Sequence, residues 1–246
     1  MNNFIAKSQE SKKILNIARV SSSLPVNIMI IGDEGVGKEL LAYEIIPDGE
    51  KFDGRFLEQL ITKEKIDLKQ YKELIVTNID YVLNKKEFIQ NLDGIKIVAT
   101  SSTLLSDLDI SFAIKIEISP LVNRPEDLEE LKNIYFKEAQ ELYGDNVALD
   151  SIELDLSQNA ISVKRSIFKN SLLQSLDDND IKDTIEHYIM GQLNQDKTYK
   201  DLLEIFEIPL LRAAKKKFKS QLQMALNLKI NRITLRKKLD QYNEVQ

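Results

Sequence analysis

Apolar positions in this chain fall into two kinds of run. Residues 26–31, 74–80 and 95–100 carry short, nearly continuous apolar stretches, the pattern of strands buried on both faces of a parallel sheet. Between and after them the spacing changes to helical. Residues 8–20 place Ile14, Leu15, Ile17 and Ala18 on a helix that Ser21-Ser22-Ser23-Leu24-Pro25 breaks, and residues 40–45 form a second short helix. Pro125 to Tyr143 is one long amphipathic helix, followed by helices over 162–176 and 180–193. Strands alternating with helices predict an α/β parallel-sheet region over 1–120, then an all-helical region over 121–193. Residues 194–196 with Lys197 and Thr198 form a hinge, and 194–246 is a third, all-α segment. There Leu222, Met224, Ala225 and Leu228 make the apolar face of a short helix, and 227–230 turns. Asn231 caps the next helix, with Ile233, Leu235 and Leu239 packing inward.

The first strand runs directly into Gly32-Asp33-Glu34-Gly35-Val36-Gly37-Lys38-Glu39 and then a helix. Strand, glycine-rich loop, lysine and helix form the setting of a phosphate-binding loop. The glycines let backbone N–H groups converge on phosphates, the helix N-terminus adds a favourable dipole, and Lys38 reaches the β/γ-phosphates. A nucleotide is the ligand this pattern fits; a relic loop that only turns the chain is the alternative. Glu39 stands where a magnesium-binding Ser/Thr is usual, so the need for magnesium stays open.

Charge separates the two ends. Residues 208–239 hold ten cations and no acidic residue; the whole chain is −5, so the remainder carries −15. This points to an anionic partner for the last segment, and the two-helix pattern names it as double-stranded DNA. The second helix suits the major groove. Lys219, Gln221, Asn231, Arg232, Thr234, Arg236, Lys237 and Lys238 are the candidate contacts, lysine and arginine to phosphate and the helix start to base edges. A basic helix that is only solvated surface, or that lies on acidic lipid, is the plainer reading. There is no cysteine, the N-terminus is unlike a signal peptide, and no apolar run approaches a membrane span, so the expected setting is cytoplasmic with no membrane contact. The single histidine, His187, has no ligand or nucleophile constellation around it, and Asp177-Asp178-Asn179-Asp180 reads as a solvated turn and helix cap; no metal site is expected.

Two stretches carry a family resemblance. Residues 32–40 resemble G-E-S-G-T-G-K-E-L of the AAA+ domain of NtrC-type, sigma-54-dependent activators, where Glu at the Glu39 position is the rule. Ile118-Ser119-Pro120-Leu121-Val122-Asn123-Arg124-Pro125-Glu126-Asp127-Leu128 resembles L-P-P-L-R-E-R-x-E-D-I, which opens that family's helical lid. Residues 201–242 resemble a Fis-type helix-turn-helix domain, closest at Ile230-Asn231-Arg232 and Thr234 to Leu239, with Pro209-Leu210-Leu211 at the start of the preceding helix. The implied order is AAA+ core, lid and Fis-type domain, which leaves no stretch for an N-terminal receiver. It further implies dimers or higher oligomers, and as partners RNA polymerase or a related AAA+ regulator.

The departures concern chemistry. The acidic pair that follows the family's apolar run falls on Thr77 and Asn78, with Asp80 two positions on. Ser102 stands for the asparagine that senses γ-phosphate. No arginine lies in 106–115, where the family has its finger. The lid's sensor arginine becomes Lys164 or shifts to Arg165. The G-A-F-T-G-A loop that engages sigma-54 is missing; Asp48-Gly49-Glu50-Lys51-Phe52-Asp53-Gly54 bridges a shortened connection, implying a shortened sheet domain. In the DNA-binding segment, Lys219-Ser220-Gln221-Leu222-Gln223-Met224-Ala225 replaces N-Q-S-R-A-A and loses an arginine. The expectation is a DNA-binding regulator with a degenerate AAA+ domain that binds ATP without hydrolysing it and has no catalytic residue. The alternatives are an active ATPase using Asp80 and Arg165, and an adaptor that joins rings of a full-length relative.

Overall fold

The structure, a computed structural model, describes residues 3–108, 110–144, 152–193 and 195–242. It divides into two compact units, Met1–Ser175 and Leu176–Gln246. The division falls after Ser175, where the sequence pattern put it after residue 193.

In the first unit the elements run α1 (Gln9–Ser21), β1 (Ile28–Ile31), α2 (Lys38–Ile45), β2 (Glu50–Asp53), α3 (Gly54–Thr62), β3 (Glu73–Thr77), α4 (Lys85–Asn91), β4 (Lys96–Ser101), β5 (Ile114–Glu117), α5 (Pro125–Tyr143) and α6 (Asn159–Ser175). The strands form one parallel sheet in the order β2-β3-β4-β1-β5. Central β1 explains the continuous apolar run. Side chains alternate across a strand, so Ile28 and Ile30 join a core with α1 and α2, while Met29 and Ile31 join the opposite one with Leu57, Phe88 and Phe112. The sheet expected to be shortened has five strands. Residues 50–53, read from sequence as a bridge, form edge strand β2 beside β3, and an Asp53 cap starts α3 at once. β2 carries no apolar run because an edge strand of this kind is largely exposed.

The helical part of this unit packs α5 against α6 around Ala139, Val163 and Ile167. Its attachment to the sheet centres on buried Asp127. That carboxylate accepts the backbone N–H groups of Lys7 (2.6 Å) and Ser8 (2.8 Å), the Ser8 hydroxyl (3.1 Å) and the Ser11 hydroxyl. Arg124, equally buried, donates to Asp127 at 3.3 Å and to the carbonyl of Val36 at 3.1 Å. Two charges can be held in the interior because they pair with each other and share hydrogen bonds with Ser8, Ser11 and the Val36 carbonyl, leaving the Arg124 Nε unbonded. Desolvation alone pushes the Asp127 carboxyl up, but the hydrogen bonds from Ser11, Ser8 and Lys7 outweigh it and hold the group below the usual carboxylate range.

The second unit contains α7 (Asp178–Gln192), α8 (Tyr199–Lys217), α9 (Gln221–Asn227) and α10 (Arg232–Gln241). Reciprocal caps start the first two: Asp177 with Asp180, and Thr198 with Asp201. The sequence expectation that Pro209 opens a helix is corrected. The Thr198 cap starts α8 ten residues earlier, and Pro209 lies inside it. A small core joins Leu211 and Ala214 of α8, Met224 and Ala225 of α9, Leu235 of α10 and Tyr242.

Candidate nucleotide cleft and nucleic-acid interface

The loop after β1 is shaped by its glycines. Gly35 and Gly37 have φ of +77° and +102°, a region that L side chains rarely adopt. A Cβ on Gly35 would lie 2.2 Å from the carbonyl oxygen of Gln158. Lys38 opens α2 and turns back, its Nζ donating to the carbonyls of Gly32 (2.5 Å) and Asp33 (2.8 Å). Burial lowers its pKa, against the opposing pull of Asp80, Asp33, Glu34 and Glu39. A cleft of about 350 Å³ opens here, lined by Glu34, Gly35, Gly37, Lys38 and Glu39, by Asn78 and Thr100, and by Ala160 and Ile161. Of the expected loop residues, Gly32, Asp33 and Val36 do not line it; the Val36 side chain is buried in the core, leaving its backbone to shape the loop. Glu39 pairs with Lys51 at 2.8 Å.

Across the cleft stand the strand ends that carry acidic chemistry in the resembling family. Here they are neutral and bonded locally. The Thr77 hydroxyl donates to the carbonyl of Phe52 (3.3 Å), and Asn78 donates its side-chain amide to Asp53 (3.1 Å). The Asn78 backbone N–H donates to the Thr100 hydroxyl (3.2 Å). Asn78 has φ of +54°, which asparagine tolerates and which ends β3 in a turn. Asp80 sits in that turn. Its Oδ1 is buried without a hydrogen-bond partner, and its charge is the largest of those raising Lys38. The residues fit a polyphosphate at the loop. For a magnesium ion accompanying it, Asp80 is the one carboxylate here with an unbonded buried oxygen, and among the described residues no group of three or more acidic, histidine or cysteine side chains is placed to hold a metal.

The lid side corrects a sequence expectation. Asn159 adopts φ of +48° and is buried, donating to the carbonyl of Glu34 (2.8 Å) and accepting from the N–H of Leu121 (2.8 Å). These bonds, with Ala160 N–H to Gly35 carbonyl at 3.2 Å, start α6 three residues before the expected position. Its first turn therefore faces the cleft with Ala160 and Ile161, not with Lys164 or Arg165. Lys164 instead bonds Glu138 at 2.7 Å and lies over the rings of Tyr135 and Phe168.

In the second unit, Ser220 caps α9 and Asn231 caps α10, its side chain accepting the N–H of Ile233 at 2.8 Å. Lys219, Gln221, Asn231, Arg232, Thr234, Arg236 and Lys237 are all exposed. Lys238 departs from expectation: it turns inward to an ion pair with Glu207, which also accepts the Tyr242 hydroxyl at 2.7 Å. That hydrogen bond pushes the Tyr242 pKa up to about 12. Two apolar residues expected inside are outside. Ile233 is 67% exposed and Leu222 54%, because Leu235, Met224 and Ala225 already fill the core.

Residues 4–68 match the family model of the sigma-54 interaction domain. The match spans the first helix, the phosphate loop and α3, and stops before β3. No curated protein matches the chain. Among solved structures, NtrX from Brucella abortus in complex with ATP is similar with a TM-score of 0.58 at 15% identity, over 98% of this chain and 69% of that one. The same protein with ADP gives 0.53 at 15% identity, over 96% and 69%. A further NtrX structure gives 0.53 at 15% identity, over 96% and 68%. At such identity the likeness establishes the fold alone, and in the first unit that fold is a five-stranded parallel sheet with its helices, an arrangement that matches an AAA+ α/β fold. No helix among the described residues is long and apolar enough to cross a membrane.

Proposed function

We propose that the chain is a cytoplasmic, sigma-54-related transcription regulator that binds double-stranded DNA through α9 and α10, a Fis-type helix-turn-helix. Its AAA+ unit binds ATP as a structural or regulatory ligand and turns it over slowly or not at all. The observation that carries the DNA reading is α10 itself: Leu235 is fully buried while Arg232, Thr234, Arg236 and Lys237 stand exposed behind an asparagine cap. The nucleotide reading rests on the positive-φ glycine loop with Lys38, and the absence of turnover on neutral, locally bonded Thr77 and Asn78. Assembly with a second copy is supported by α7, which buries none of its residues and exposes Ile181, Tyr188 and Met190. Nucleotide would then favour one assembly state by binding it better. RNA polymerase or a related AAA+ regulator is the proposed protein partner.

Steady-state ATP turnover, with and without DNA, is the test, beside Lys38→Ala and a gel shift with Arg236→Ala. The expected outcome is a DNA shift weakened by Arg236→Ala and turnover at the level of Lys38→Ala. Turnover that Lys38→Ala abolishes would make the site a working ATPase.

A further inference from the structure

Ile233 is a branched apolar side chain placed among cations. It follows Arg232 directly, and helical spacing of three and four sets it beside Arg236 and Lys237 on the same exposed face of α10. Two-thirds of it is in solvent. The opposite face is anchored by Leu235 at 0% exposure, so the helix cannot roll to bury Ile233 without withdrawing Leu235 from the core.

A single exposed isoleucine is ordinary on a protein surface. Its neighbours make this one informative. Three cations around it favour a polyanion on this face, and phosphate contacts would hold the helix at a fixed depth. A side chain at the start of that helix then meets base edges. Nearly every group on the major-groove edge is a hydrogen-bond donor or acceptor, which isoleucine would desolvate without return. The 5-methyl of thymine is the apolar exception. Isoleucine is also stiff at χ1 in a helix, so little rotamer freedom is lost when it is buried there.

We propose that Ile233 is a specificity-determining residue that packs on the 5-methyl group of a thymine in the major groove. This rests on the DNA-binding reading above. Arg232, Arg236 and Lys237 supply the affinity, and Ile233 supplies preference at one base position.

The test is a methyl-deletion cycle. A duplex is selected from a random pool by the full-length protein, and each thymine is replaced in turn by deoxyuridine, which keeps every hydrogen-bonding group and loses only the methyl. Wild type and Ile233→Ala are compared by fluorescence anisotropy. At one position the wild type should lose about fourfold in affinity, the value of one buried methyl-sized group. Ile233→Ala should bind thymine and deoxyuridine duplexes equally there, and Ile233→Val should keep most of the difference. No thymine-dependent loss in the wild type, or the same loss in Ile233→Ala, overturns the proposal while DNA binding stands. Failure to retain any duplex removes the DNA-binding reading itself, and this inference with it.

Discussion

The two sides of the candidate nucleotide cleft are built differently. On the loop side, Gly35 and Gly37 hold left-handed angles where a Cβ would crowd the Gln158 carbonyl and the Phe4 ring, and Lys38 remains half-buried at the head of α2. On the strand-end side, Thr77, Asn78 and Thr100 spend their polar groups on local backbone and neighbouring side chains. Glycine takes such angles without the penalty a Cβ would bring, so the loop side keeps a backbone shape that suits an anion. On the other side neutral groups complete a local hydrogen-bond pattern, and the proposed lack of turnover rests on them.

The largest effect should come from the anchor beneath the loop side. Asp127→Ala leaves Arg124 buried without its partner, and unit one should lose about 3–5 kcal/mol in urea unfolding. The wild-type pH profile carries the same signature. The folded Asp127 pKa lies below its unfolded value of about 3.9, so its contribution is present above that pH and is lost as pH falls through the lower folded value. The variant should lack that acid limb. An equal acid limb in both would mean that Asp127 does not hold the lid.

Next is Lys38→Ala, which removes the charged donor at the loop. ATP affinity by calorimetry should drop about 10- to 150-fold, the worth of a hydrogen bond to a charged group. An unchanged affinity would leave the loop a mere turn. A control outside the cleft is Tyr242→Phe, which should cost unit two roughly 1 kcal/mol below pH 10. The wild type should lose that advantage as pH rises from about 10 through the folded value of about 12, because the raised pKa favours the protonated phenol in the folded state. The smallest effect belongs to Thr77→Val. Its hydroxyl serves Phe52 through a long bond of 3.3 Å, so stability should fall by only about 0.5 kcal/mol and nucleotide turnover should not change. A fall in turnover would mean the strand-end side is chemically alive.

Where the sequence was legible, periodicity and local caps set the outcome. The buried strands at 28–31, 73–77 and 96–101 were visible as apolar runs, and the cap at Asn231 needed only its own neighbours. The glycine loop was legible because its spacing is dictated by backbone geometry. What stayed hidden depended on tertiary contacts. β2 is polar and exposed, and only pairing with β3 makes it a strand. Ile161 lines the cleft because buried bonds to Glu34 and Leu121 fix Asn159 as the start of α6, a register that the apolar spacing of the helix does not announce. Ile233 lies outside because the core of the second unit is small, and Leu235, with Leu239 packed against it, fills the α10 share.

Pro209 gives α8 a dynamic division. Proline has no amide proton, so the carbonyl one turn earlier, at Ile205, lacks its helical partner. After that break the helix is fastened by Leu211 and Ala214; before it, among 199–208, no residue is fully buried. In hydrogen exchange, α8 should therefore behave as two half-helices. Amides beyond the proline should exchange only when the small core opens, while those of 202–208 should exchange through local fraying, faster and nearly insensitive to substitutions in the core.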